Sequence, residues 1–275
     1  MKGPGRNRRG IPLRTFVPNA ITALALCSGL FGIRYSIVGD WEKAAWAIVL
    51  AAFLDMMDGR VARFIHGQSR FGAELDSLSD VTAFGVAPAV ILYLWMLSQL
   101  DPATPAHDYW ARFGWLLALG HAVCAALRLA RFNAAIDAQD QPHKSAGFLT
   151  GIPAPAGAGL ALLPIFLWLS TERQPLFHQP LLVAPWAALV AILMVSNWAT
   201  FSWSSVRLRS HVRLGALLVV VLLGGALFTA PWPTLSVAGL LYAGCIPFSM
   251  ASYAKVRRLR AAGASRRPEP AEPRE

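Results

Sequence analysis

Apolar runs of about 20 residues recur along this chain, and they limit it to one kind of fold. Eight are legible, at approximately 17–38, 43–63, 75–98, 112–133, 153–170, 181–202, 212–230 and 233–254. A bilayer core of roughly 30 Å takes about 20 helical residues per crossing. Helices also satisfy their own backbone polar groups where no water is present to do so. The expected fold is therefore all-α, a polytopic transmembrane helical bundle of about eight spans. Pro153, Pro155, Pro164 and Pro185 blur the ends of the fifth and sixth runs. The last two are separated only by Ala230-Pro231-Trp232-Pro233, which predicts a tight helical hairpin. Composition agrees, with 55% of residues apolar and 15% charged, against the quarter usual in soluble domains. Mean hydropathy is +0.46. The first run is too long for a signal-peptide core and carries Asn19 and Arg34, so it reads as a retained span. This divides the chain into a basic segment at 1–16, a transmembrane domain at 17–254 and a basic tail at 255–275. The Pro, Arg and Glu content of the tail predicts disorder.

A net charge of +10 raises the question of nucleic acid, but its distribution answers otherwise. With eight spans both termini lie on one side, and 21 of the 25 Lys and Arg residues fall there. Basic loops stay in the cytoplasm, so both termini are expected to be cytoplasmic in an inner or plasma membrane. Cys27, Cys124 and Cys245 are far apart, each inside an apolar run, and show no metal-binding spacing.

Four acids do not belong in such runs. Asp55 and Asp58 sit in the inner half of the second span, and Asp76 and Asp80 open the third. An intramembrane carboxylate is costly and is normally paired, ligated or wet. At about 100° per residue, Asp55, Asp58, Gly59 and Ala62 share one helical face. Asp76 and Asp80 share a face of the next helix, and the short linker makes the two helices antiparallel neighbours. Four carboxylates can then converge near the cytoplasmic surface, where protons or cations must offset their repulsion. An oxygen-only ligand set suits hard cations such as Mg²⁺, Mn²⁺ or Ca²⁺. Gly59 and Ala62 leave room on the same face for a bulky ligand. Arg63 offers a charge-assisted bond to phosphate, and Gly72 permits close backbone approach. Pairing with Arg60, Arg63 and Arg70 is the plain alternative. A cation or proton transporter is the rival from another class, although its acids would lie at midplane.

The stretch from Asp55 to Asp80 resembles the signature of the CDP-alcohol phosphatidyltransferase family, D-x2-D-G-x2-A-R-x8-G-x3-D-x3-D. All eight fixed positions are met, by Asp55, Asp58, Gly59, Ala62, Arg63, Gly72, Asp76 and Asp80. The Pro18-Asn19-x-x-Thr22 opening of the first span is also similar, and the likeness covers about residues 12–200. The resemblance implies a homodimer that transfers the phosphatidyl group of CDP-diacylglycerol to an alcohol, with two divalent cations, Mg²⁺ or Mn²⁺. It implies Asp55, Asp58, Asp76 and Asp80 as metal ligands and Asp80 as general base. Asn19, Thr22, Gly59, Ala62, Arg63, Ser69 and Gly72 would surround the CDP part. Phe84-Gly85-Val86-Ala87-Pro88, Arg128-Leu129-Ala130-Arg131-Phe132-Asn133 and Gly151-Ile152-Pro153-Ala154-Pro155 are similar to the serine-transferring bacterial branch. That implies L-serine as acceptor, with Arg128, Arg131 and Asn133 placed to meet it. Glycerol phosphate, inositol phosphate and choline are the other acceptors this chemistry allows.

Overall fold

A computed structural model describes residues 13–136, 148–196, 199–201 and 213–264. Residues 1–12 and 265–275, which hold most of the expected basic flanks, lie outside the described residues, as does Lys144. The architecture is all-α apart from one short antiparallel pair, β1 (Phe148–Thr150) with β2 (Ala199–Phe201), in which Leu149 faces Thr200.

The first two helices, α1 (Leu13–Ile37) and α2 (Trp41–Phe64), form an extensively packed hairpin. Its turn uses Gly39 at φ +78°, and the Asp40 carboxylate caps α2 by accepting from the Lys43 N–H at 3.1 Å. The expected third span starts earlier than its apolar run, because Ser69 caps a polar first turn by accepting from the Gly72 N–H at 3.0 Å. It is one helical run with three parts: α3 (Arg70–Asp80), a π-helical segment (Val81–Val86) and α4 (Ala87–Leu97). The 32-residue α5 (Pro105–Ile136) follows.

Proline breaks the fifth span into α6 (Ala154–Ala161) and α7 (Leu163–Ser170). Pro164 has no N–H to give the Leu160 carbonyl. The indole N–H of Trp186, on α8 (Pro180–Val195), donates to that carbonyl at 2.6 Å instead. The final hairpin is as expected: α9 (Arg213–Thr229) and α10 (Pro231–Ala264) are joined at Ala230. Unlike the expected break at residue 254, α10 continues as helix to Ala264.

Small residues let the inner helices approach. A Cβ on Gly29 of α1 would lie 2.8 Å from the Ala83 Cα, and one on Gly85 would lie 2.9 Å from the Ala125 Cβ of α5. The main core gathers Ala44, Ile48, Phe84, Ile91, Trp95 and Ile165. A second cluster joins Ala125, Leu160, Val190, Met194 and Ile246. The outside is apolar as well: every residue from Leu217 to Leu223 on α9 is more than half exposed. Such a surface suits lipid and not water.

Among the described residues, three helical runs are long and apolar enough to cross a bilayer, Arg14–Ile37, Arg70–Leu97 and Pro105–Ala134, and Pro180–Val195 and Leu217–Thr229 are shorter apolar helices. The 24-residue α2 carries Glu42, Lys43, Asp55, Asp58, Arg60 and Arg63. These features make the protein an integral multi-pass membrane protein.

The close approach at Gly29 predicts a contrast in stability. Gly29→Leu should destabilise by about 1–3 kcal/mol through overpacking, whereas Gly224→Leu, whose Cβ meets nothing within 4 Å, should be neutral. Thermal unfolding of both variants in detergent checks this.

Candidate active site

The acidic residues meet where α2 and α3 both pack against α1. Asp55, Asp76 and Asp80 each present a carboxylate oxygen, and the three oxygens lie within 4.8 Å of one another. Spacing four apart on α3 puts Asp76 and Asp80 on one face, and that face looks at Asp55. Asp80 is the most demanding member, because its Oδ1 is buried and has no hydrogen-bond partner among the described residues.

Asp58 stands one step aside. It is 5% exposed, and the Thr22 hydroxyl donates to its Oδ2 at 2.6 Å. That bond draws Asp58 toward α1, so three of the four expected ligands form the tight group. The fourth lines the neighbouring cleft together with Asp76. Ser79 reinforces the same junction, donating from its hydroxyl to the Thr22 carbonyl at 3.3 Å.

None of the four acids is in a salt bridge among the described residues, where the recorded pairs are Lys43–Asp40 and His107–Asp108. Pairing with Arg60, Arg63 or Arg70 therefore does not account for them. Clustered carboxylates without cationic partners, one with an orphaned buried oxygen, fit a hard divalent cation well. The group could bind metal through oxygen alone.

The cleft beside the acids measures about 310 Å³. Asn19, Thr22, Gly59, Ala62, Arg63, Ser69 and Gly72 all line it, so the structure brings together every residue assigned to the CDP part by resemblance. Two glycines shape it differently. Nothing lies within 4 Å of where a Gly59 Cβ would be, so its missing side chain is open volume. A Cβ on Gly72 would lie 2.7 Å from the Asn19 Oδ1 and 3.2 Å from the Ser69 Oγ, so there the absence permits contact. A second, apolar groove of about 730 Å³ runs between α1 and α3, past Phe16, Ala20, Leu24, Phe71 and Leu75. Asn19 and Ser69 line both spaces.

The end of α5 approaches from the other side. Arg128 lies within electrostatic reach of Asp80, and its Nε is buried with no hydrogen-bond partner among the described residues. Asn133 Nδ2 donates to the Ser77 Oγ at 2.9 Å, which ties α5 to the residue after Asp76. Arg131 points elsewhere, donating from Nη2 to the Ser196 carbonyl at 3.2 Å at the end of α8. Two participants had no signal in the sequence. Ser77 is an ordinary serine between acids, and Tyr242, which α10 brings into the electrostatic surroundings of Arg128, sits in an apolar run with no motif.

Comparison with known proteins agrees with this geometry. The profile described as CDP-alcohol phosphatidyltransferase matches residues 15–203, and CDP-alcohol phosphatidyltransferase 2 matches residues 211–247. A Mycobacterium tuberculosis protein named CDP-diacylglycerol–serine O-phosphatidyltransferase is 35% identical, over 92% of this chain and 84% of its own. Proteins of the same name from Helicobacter pylori and Bacillus subtilis are 33% and 31% identical. These alignments cover 84% and 66% of this chain, and 89% and 88% of those proteins. By its acids, its cleft and this match over most of its length, the chain belongs to the CDP-alcohol phosphatidyltransferase family.

Proposed function

We propose that this protein is a CDP-diacylglycerol–serine O-phosphatidyltransferase, a phosphatidylserine synthase of phospholipid biosynthesis. One observation carries the reading: a cleft lined by Asp58, Arg63, Ser69 and Asp76, beside three clustered carboxylates, shares Asn19 and Ser69 with an apolar groove. A substrate with a nucleotide head and acyl tails fits that pair of spaces. The shared name of the relatives supports serine as the acceptor.

In this reading the CDP head occupies the cleft. Arg63 and Ser69 meet phosphate oxygens, and Gly59 and Ala62 leave room for the nucleoside. An acyl chain lies in the groove against Phe16, Leu24 and Leu75. Asp55, Asp76 and Asp80, with Asp58 beside them, would hold two divalent cations, Mg²⁺ or Mn²⁺, which when bound offset the pyrophosphate charge. The serine hydroxyl approaches Asp80, whose carboxylate takes its proton. The serine oxygen bonds to the phosphorus that bears the diacylglycerol, the bond from that phosphorus to the CMP oxygen breaks, and CMP departs. Arg128 attracts the serine carboxylate. Asn133 fixes α5 to α3, and Arg131 fixes α5 to α8, so both hold Arg128 in place. We further propose eight crossings, with both termini and the site cytoplasmic, from the placement of 21 of 25 basic residues. A homodimer carries over from the family resemblance.

CMP release by purified protein with CDP-diacylglycerol and Mg²⁺ or Mn²⁺ should require L-serine and stop on chelation. It should fall by about 10²–10⁴-fold in Asp80→Asn. Release that requires glycerol phosphate, inositol phosphate or choline instead would keep the site and sink the serine assignment. Gly59→Leu should raise the KM for the CDP-lipid by filling the cleft, with thermal stability unchanged, as kinetics and a melting curve together would show. Arg128→Ala should raise the serine KM by about 10- to 100-fold, the loss of one charge-assisted bond, with the donor KM unaltered in the same titrations.

A further inference from the structure

The Phe84-to-Pro88 stretch carries no side chain into the cleft, yet it controls the helix that bears Asp76 and Asp80. In an α-helix the Phe84 carbonyl takes its bond from the N–H of residue 88. Pro88 has no N–H, and its ring presses on that same carbonyl. The chain accordingly winds wide: Val81–Val86 is π-helical, and the Ala87 N–H donates to the Thr82 carbonyl, five residues back. Such segments are rare and concentrate at functional sites. This one begins at the residue after Asp80. It is gripped on both sides, by α1 where Gly29 meets Ala83 and by α5 where Gly85 meets Ala125.

His121 of α5 is 2% exposed and lies with its ring toward the Phe84 carbonyl. Neither ring nitrogen has a partner of ordinary hydrogen-bond geometry among the described residues. The same fold solves the same problem at Pro164, where the Leu160 carbonyl is met by the Trp186 indole from a neighbouring helix. His121 is placed beside Phe84 as Trp186 is beside Leu160, although only the indole makes a hydrogen bond of ordinary geometry.

We propose that Pro88 and His121 are positioning residues for the transfer reaction. Pro88 imposes the wide turn, His121 is the polar partner of the carbonyl it releases, and the turn sets the rotation that aims Asp76 and Asp80 at Asp55. A π turn holds one residue more than an α turn. Closing it to α geometry would rotate the preceding segment by about 100°, which takes both acids off the face that looks at α2. The assay used here rests on the proposed serine transfer, but the acid geometry does not, so two readouts are taken.

The variants are Pro88→Ala, which restores the missing N–H, together with His121→Leu and His121→Gln. Each is purified in detergent beside the unaltered protein. Mn²⁺ binding is followed by the paramagnetic resonance of free Mn²⁺ without substrates, and CMP release is followed with CDP-diacylglycerol and serine. Pro88→Ala should keep its melting temperature, bind Mn²⁺ about tenfold or more weakly, and lose about 100-fold in kcat, the scale of a 1 Å misplacement. His121→Leu should move in the same direction, and His121→Gln, which keeps a donor, should recover most of the loss. Unaltered Mn²⁺ binding in Pro88→Ala would overturn the role of the wide turn. Equal behaviour of the two His121 variants would overturn the role of the ring. If the unaltered protein binds Mn²⁺ but releases no CMP with serine, the serine assignment fails while the Mn²⁺ comparison still decides this proposal.

Discussion

The fold depends on keeping carboxylates where carboxylates are expensive. Removing one ionised carboxylate from water costs several kcal/mol even after relaxation, and this chain clusters three with a fourth alongside. No described basic side chain pairs with them. The framework around them is correspondingly rigid: α1 and α2 pack along their length, Thr22 holds Asp58, and Ser79 ties α3 to α1. Without those restraints four like charges would spread apart. With them, Asp55, Asp76 and Asp80 stay close enough that the cluster could bind a divalent cation.

The second requirement is that two dissimilar reactants reach one point. The apolar groove lies along the α1–α3 seam, the cleft beside it is lined by α1, α2 and α3, and Arg128 of α5 lies within electrostatic reach of Asp80. In the proposed reading the groove takes the lipid and the cleft, which Asp58 and Asp76 line, takes the polar head. Asn133 and Arg131, both expected beside Arg128 at the acceptor, have different duties once their partners are seen. One ties α5 to α3 and the other ties it to α8.

Much of this was legible in the residues. Spans follow from apolar length, and the hairpin at Ala230 follows from its flanking prolines. The cleft follows from the Asp55–Asp80 spacing together with Asn19 and Thr22. What escaped was the lateral information that periodicity does not carry. The draw of Thr22 on Asp58 depends on a bond between residues 36 apart in the chain. Arg131 and Ser196 are 65 apart. The polar first turn of α3 was hidden because Arg70 and Glu74 lie outside any apolar run, although Ser69 was itself a capping signal. Pro88 read as part of a likeness and not as a mechanical device, since its effect falls on a carbonyl four residues earlier. The continuation of α10 to Ala264 was missed because its basic residues resemble a tail as much as a helix.

The joining of groove and cleft at Asn19 and Ser69 has a kinetic corollary. A donor that arrives through the groove is delivered by lateral diffusion within a two-dimensional sheet, so bulk molarity is the wrong variable for it. The relevant quantity is its mole fraction among the surrounding amphiphiles. Diluting the donor with inert detergent at constant total donor slows the enzyme as surely as removing donor would, while serine, coming through water, still obeys its ordinary concentration. On the proposed donor route, one substrate is read as a surface density and the other as a solution concentration, and the rate would follow the composition of the membrane that holds the protein.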